Sequence, residues 1–253
     1  MHILLVNDDG IQAKGIQALV KAAVKRGHEL SVCAPSVQQS AASHRITIHE
    51  PIFITEYPFE DKNVTGYAIA GTPADCTRLA IFNLIEKPID IVVSGINIGY
   101  NAGADVQYSG TVGAAMEAVM LGYRAIACSM HINGSDKLLE GFAEYVIAVA
   151  EKYQKTPMQE NVLNINAPLD EECLKREKIY APLNEIIYSD QYEYRVSPRK
   201  DRYFWLKCGT ANSKASEKSD AYYLKQGHIT HTLVGYPTVF EEKALNGLDI
   251  NLL

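Results

Sequence analysis

Two adjacent carboxylates, Asp8 and Asp9, follow the apolar run Ile3 to Val6 and precede Gly10. Held about 4 Å apart at an effective dielectric near 20, two such charges repel by roughly 4 kcal/mol. At a strand end a divalent cation is the natural offset. A solvated turn, with Asp8 capping the next helix, would leave the same Asp-Asp-Gly in the sequence. Its place after the first buried strand favours chemistry.

Two further polar segments carry compatible groups. Gln38 to Thr47 is small and polar, and offers the Ser40 hydroxyl as a hard ligand and His44 as a group that titrates near neutrality and can protonate a leaving alkoxide. As a loop it needs no function, and a lone His is commonly structural. Ser94-Gly95-Ile96-Asn97 adds an amide oxygen, another hard ligand. Downstream, Ser109-Gly110-Thr111 stands before a small-residue helix, where free N–H groups and the dipole suit a phosphate; an ordinary N-cap accounts for it equally well. Asp8, Asp9, Ser40 and Asn97 supply oxygen donors and no soft ligand, which favours Mg²⁺ or Mn²⁺ over Zn²⁺. An incomplete protein shell leaves positions for water and phosphate, the arrangement for metal-assisted hydrolysis. No G-x-G-x-x-G follows the first strand and no Walker A motif occurs.

The elements that must position these groups alternate. Ile3 to Val6 reads as a buried parallel strand, Gly15 to Arg26 as an amphipathic helix closed by Gly27, and Leu30 to Ala34 as the next strand. Ile46 to Tyr57 and Val64 to Ala70 read as strands. Thr72-Pro73-Ala74-Asp75 reads as a capped helix start. Ile89 to Val93, Ala125 to Ser129 and Val162 to Ile165 are expected strands; 111 to 121 and 137 to 153 are expected helices. The pattern predicts an α/β, Rossmann-like, doubly wound and mostly parallel sheet. In such sheets ligands sit at the carboxyl ends of the strands, where all three polar loops fall. Residues 1–170 are expected to form the catalytic core. Residues 171–253 form an extension, with hairpins across 177 to 210 and a short amphipathic helix beyond Pro237.

The chain has 253 residues, 47% hydrophobic and 21% charged, with a net charge of −6 and no basic block. A nucleic-acid polymer is therefore not an expected partner. Five scattered cysteines make no Cys-x-x-Cys pair, no signal peptide is evident, and no run approaches 18 apolar residues. The expectation is a cytoplasmic, soluble protein that does not enter a membrane.

The ordered set Ile3 to Gly10 with Gly15, Gln39-Ser40 with Ser43, Ile46-Thr47, Gly71 to Cys76, Ser94-Gly95-Ile96-Asn97, Gly99-Tyr100-Asn101 and Tyr108 to Val112 resembles the SurE family of stationary-phase survival proteins, metal-dependent 5′/3′-nucleotidases. Weaker matches continue through Asn164 to Pro168, Arg195 to Pro198, Tyr203 to Trp205 and Ser219-Asp220. The resemblance implies hydrolysis of nucleoside monophosphates with one Mg²⁺ or Mn²⁺ per subunit on Asp8, Asp9, Ser40 and Asn97. It also implies a C-terminal part used in subunit exchange, giving a homodimer or homotetramer. Ala41, Arg45 and His228-Ile229-Thr230-His231 depart from the family pattern. A phosphatase with Asp8 as covalent nucleophile would need Asp-x-Asp, which is not present. A non-catalytic nucleotide-sensing module is the alternative from another class.

Overall fold

The computed structural model describes residues 1–157, 160–185, 191–207 and 215–235. The helix expected beyond Pro237 lies outside them. In chain order the elements are β1 (His2–Val6), α1 (Lys14–Lys25), β2 (Glu29–Pro35), β3 (Ile54–Tyr57), β4 (Val64–Ile69), α2 (Pro73–Leu79), β5 (Ile91–Ile98), α3 (Gly110–Met120), β6 (Ala125–Met130), α4 (Asp136–Tyr153), β7 (Asn161–Ala167), β8 (Ile179–Tyr180), β9 (Gln191–Val196), β10 (Arg202–Lys207), α5 (Asp220–Lys225) and β11 (Thr230–Gly235).

Nine strands form one sheet in the order β3-β4-β2-β1-β5-β6-β7-β11-β8. The pairings from β4 through β7 are parallel, and β3 and β11 add antiparallel partners. The alternation of β1 explains the layering. Ile3 and Leu5 enter the core shared with α1 and α4, whereas Leu4 and Val6 enter the core on the opposite face with α3 residues such as Val112 and Ala115. The chain runs from β1 to β2 on one side and later returns to place β5 on the other side. The strand order therefore reverses between β1 and β5, and a crevice opens there at the carboxyl edge.

One expected strand is mostly absent. Of Ile46 to Tyr57, only Ile54–Tyr57 is strand. Thr47 gives its backbone N–H to Asp75 Oδ1 at 3.0 Å and its hydroxyl to Oδ2 at 2.6 Å, and the Thr72 hydroxyl donates to Arg45 O at 2.6 Å. Pro51 has no N–H for a ladder. The segment is thus stapled to the capping box of α2, where Thr72 and Asp75 cap each other. Burial raises the Asp75 carboxyl, but its hydrogen bonds from Thr47 and Thr72 outweigh that and hold it below the ordinary value.

The sheet crosses residue 170: β11 pairs with β7 and β8 pairs with β11. The hairpin expected within 177 to 210 is present as β9 and β10, paired with each other and, among the described residues, with no other strand.

Candidate active site

The crevice between β1 and β5 is built from close backbone approaches. A Cβ on Gly15, at the start of α1, would lie 1.9 Å from Ile96 O, so only glycine lets α1 meet the bulged end of β5. Asn7 forms a closed turn, donating from Nδ2 to Gly10 O at 2.9 Å and accepting the Gly10 N–H at 3.1 Å. This turn presents Asp8 and Asp9 at the strand end.

Asp8 is 5% exposed. The Thr111 hydroxyl donates to its Oδ1. A Cβ on Gly110 would sit 2.9 Å from the Asp8 Cβ, so glycine at that position is what lets the α3 N-terminus close on the carboxylate. Burial is the largest influence on Asp8, and with the Asp9 charge it pushes the carboxyl up to about 6 against the hydrogen bonds from Thr111. Asp9 accepts Gln38 Nε2 at 3.0 Å and takes a long contact from the Ile98 N–H at 3.4 Å. Its carboxyl is also raised, mainly by burial. Two neighbouring carboxylates, both disfavoured in their charged form, are a site short of positive charge.

The other expected residues divide. Gln39 donates its N–H to Asp8 O at 2.7 Å, so Ser40 follows directly on a residue tied to the site; Ser40 itself is exposed. Asn97 gives Nδ2 to Gly99 O at 2.8 Å, which assigns its amide orientation, and its Oδ1 has no partner among the described residues. Ser109 caps α3 through Val112 N at 3.1 Å. His44 lies along α3: its Nε2 is 2.7 Å from Glu117 Oε2, and Arg78 reaches the other Glu117 oxygen at 2.6 Å. Burial raises the Glu117 carboxyl, but these two partners outweigh it and leave it lowered.

Residues that the sequence named only as matches to the family, with no role, hold the loop after Asn97. Asn101 O accepts from Asn164 Nδ2 at 2.8 Å and Asn166 Nδ2 at 3.0 Å, its N–H donates to Asn166 Oδ1, and its Nδ2 donates to Ser129 Oγ at 2.8 Å. Asp220, fully buried, accepts the Gly103 N–H and the Asn184 N–H, each at 2.8 Å. The signal for the first group was legible: two Asn at alternate positions of an otherwise apolar strand share one buried face.

The donors are all hard oxygens, and among the described residues no group of three or more His, Cys, Asp or Glu is placed to hold a metal. A site of two carboxylates completed by neutral oxygens fits that result and fits a hard divalent cation. The chain matches the family described as Survival protein SurE over residues 3–188. It belongs to the SurE family. It is similar to the 5′-nucleotidase SurE of Desulfitobacterium hafniense, 40% identical over 92% of this chain and 90% of that one. The 5′-nucleotidase SurE of Clostridium tetani is 38% identical over 93% and 94%. The crystal structure of the SurE protein from Aquifex aeolicus aligns with a TM-score of 0.80, 29% identity and full coverage of both chains. The crevice described above is therefore set in the SurE fold.

Proposed function

We propose that this SurE protein is a metal-dependent phosphomonoesterase that hydrolyses nucleoside 5′- and 3′-monophosphates to nucleoside and phosphate. The observation that carries the reading is the Asp8–Asp9 pair at the reversal of strand order, with both carboxyls raised by burial. The relatives named 5′-nucleotidase SurE support the substrate class.

Asp8, Asp9, Ser40 and Asn97 are the residues that would hold one Mg²⁺ or Mn²⁺. When bound, the cation supplies positive charge to the phosphoryl oxygens and acidifies water. Gly10 and Asn7 keep the two carboxylates in register, and Gln38 orients Asp9. Ser109, Gly110 and Thr111 are proposed to face the phosphate. Because the Thr111 hydroxyl is taken by Asp8, what this turn offers the anion is the positive end of α3 and its backbone. His44 is proposed as the proton donor to the leaving alkoxide. With Nε2 on Glu117, the proton would come from Nδ1 of an imidazolium paired with that carboxylate.

Residues 1–170 are proposed as the catalytic core and 171–253 as an extension that packs on the core and on a partner subunit. The hairpin supports a homodimer or homotetramer: Tyr192, Phe204 and Trp205 are 68%, 61% and 60% exposed on two strands that join no other among the described residues. A cytoplasmic location is supported by four free cysteines, Cys33, Cys76, Cys128 and Cys173. No helix among the described residues is long and apolar enough to cross a membrane.

A phosphate-release assay over the nucleoside monophosphates tests the activity, run with Mn²⁺ and again after chelation. Release that requires the metal is expected. Nucleotide binding without release in either condition would make the protein a sensing module instead.

A further inference from the structure

Beside the Asn97 loop the carboxyl edge carries a cavity of about 550 Å³ that the catalytic assignment does not use. Its walls come from the segments that leave β5, β6 and β7: Tyr100 and Ala102, His131, and Pro168-Leu169. It is closed on the far side by Leu224 and Lys225 of α5. The volume is that of a small-molecule site. Tyr100 stands three residues after Asn97, so their Cα atoms are separated by at most about 11 Å.

We propose that this cavity seats the nucleoside of the substrate, with the Tyr100 and His131 rings as the faces that receive the base and Leu169 as the apolar rim. The proposal rests on the phosphomonoesterase reading for its orientation, phosphate toward Asn97 and base toward α5. The two rings lie 5.3 Å apart between centroids at 75°, an edge-to-face pair, and both line the cavity. Lys225, an exposed lining residue without an ion pair among the described residues, can donate to a base carbonyl or ring nitrogen.

The cavity is held in shape before anything enters. One carboxylate, Asp220, ties the loop after Tyr100, through Gly103, to Asn184 and to the first turn of α5. The Asn101 bonds to Ser129, Asn164 and Asn166 anchor the same loop to β6 and β7. A wall fixed this way lets a base dock without first ordering the loop. Stacking on an aromatic face tolerates every base, so this site selects nucleotides over simple phosphate esters more strongly than one base over another.

The test uses the full chain and two variants, Leu169→Arg, at a position 49% exposed, and Tyr100→Leu. Binding of adenosine, guanosine, cytidine and uridine, each alone, is followed by ligand-observed NMR. Hydrolysis of the monophosphates is compared with that of ribose 5-phosphate, which lacks the base. Loss of one stacking partner should weaken nucleoside binding about 5- to 150-fold. It should also lower kcat/KM for the nucleotides at least tenfold more than for ribose 5-phosphate. Equal losses on both substrates, wild-type nucleoside affinity in the variants, or no binding of any nucleoside by the wild type would overturn it. Absence of phosphate release from every ester would defeat the enzymatic reading alone, since the nucleoside titrations still decide the cavity.

Discussion

The Thr111 hydroxyl donates a hydrogen bond to Oδ1 of Asp8, joining the first turn of α3 to the end of β1 across 103 positions of chain. It is a bond to the charged form of the acid, and it works against the burial that pushes the Asp8 carboxyl up to about 6. Thr111→Val removes the donor at nearly constant volume. The acidic limb of Mn²⁺ binding and of phosphate release should then move to higher pH, and Thr111→Ser should restore it. The pH dependence of both, measured on the same three proteins, checks this. A limb that stays in place would mean the hydroxyl has no influence on Asp8.

Asp8 also fixes how the metal-free protein responds to pH. Its folded-state value, about 6, lies above the ordinary 3.8, so its contribution favours the fold at low pH and is lost as pH rises through 6. Above that the charged carboxylate costs about 3 kcal/mol. Without metal, Asp8→Asn is expected to be more stable than the wild type at pH 8 by up to that amount, with the difference closing by pH 4. Saturating Mn²⁺ should raise the wild-type Tm and leave the variant unmoved; 100 Kd of metal corresponds to about 2.7 kcal/mol. Urea unfolding at pH 4 and pH 8 without metal measures the first effect, and thermal unfolding with and without Mn²⁺ the second.

Gly110 is required by the approach of α3 to β1. Gly110→Ala would place a methyl 2.9 Å from the Asp8 Cβ, and the helix would have to retreat from the carboxylate. The expected outcome is a stability loss of about 1–3 kcal/mol together with weakened Mn²⁺ binding, read by denaturation and by metal titration. Wild-type metal affinity in this variant would separate the α3 N-terminus from the site.

His231 stands in the departure from the family pattern, on β11, with Nε2 2.7 Å from the Tyr145 hydroxyl. Burial, and secondarily the Lys178 charge, lowers its pKa to about 4. The neutral ring is favoured in the fold, so its contribution is present above pH 6.5 and is lost as pH falls toward 4, by about 3 kcal/mol over that window. His231→Gln keeps a partner for Tyr145 and does not titrate. Its stability should fall less steeply between pH 6.5 and 4, which equilibrium unfolding at several pH values will show.

What was legible in the sequence was local. Thr72, Pro73 and Asp75 announce α2 because a capping box lies within four residues. The helical spacing of Ile16, Leu19, Val20 and Ala23 is the buried face of α1. The three site loops could be brought to one edge because parallel strands put their carboxyl ends there. What was not legible depended on distant partners. Nothing near Thr47 says that its N–H belongs to Asp75 rather than to a strand. Ser94 to Asn97 reads as a loop, yet these residues lie within β5, whose register with β6 shifts at that point. Thr111 at a helix start reads as a phosphate ligand or a cap, and the chain gives no hint that Asp8 stands opposite. Likewise, β11 inserts between β7, to which it is antiparallel, and β8, to which it is parallel, a placement set by sheet pairing and not by its own six residues.

The most direct test of the account is the Mn²⁺ dependence of phosphate release from a nucleoside monophosphate, measured for the wild type and for Asp8→Asn and Asp9→Asn at equal folded concentration. Each substitution keeps side-chain volume and removes one charge from the proposed site. Wild-type release should rise with Mn²⁺ to saturation, while both variants stay near the metal-free baseline. Saturation of either variant at the wild-type rate and the wild-type Mn²⁺ concentration would contradict the central claim.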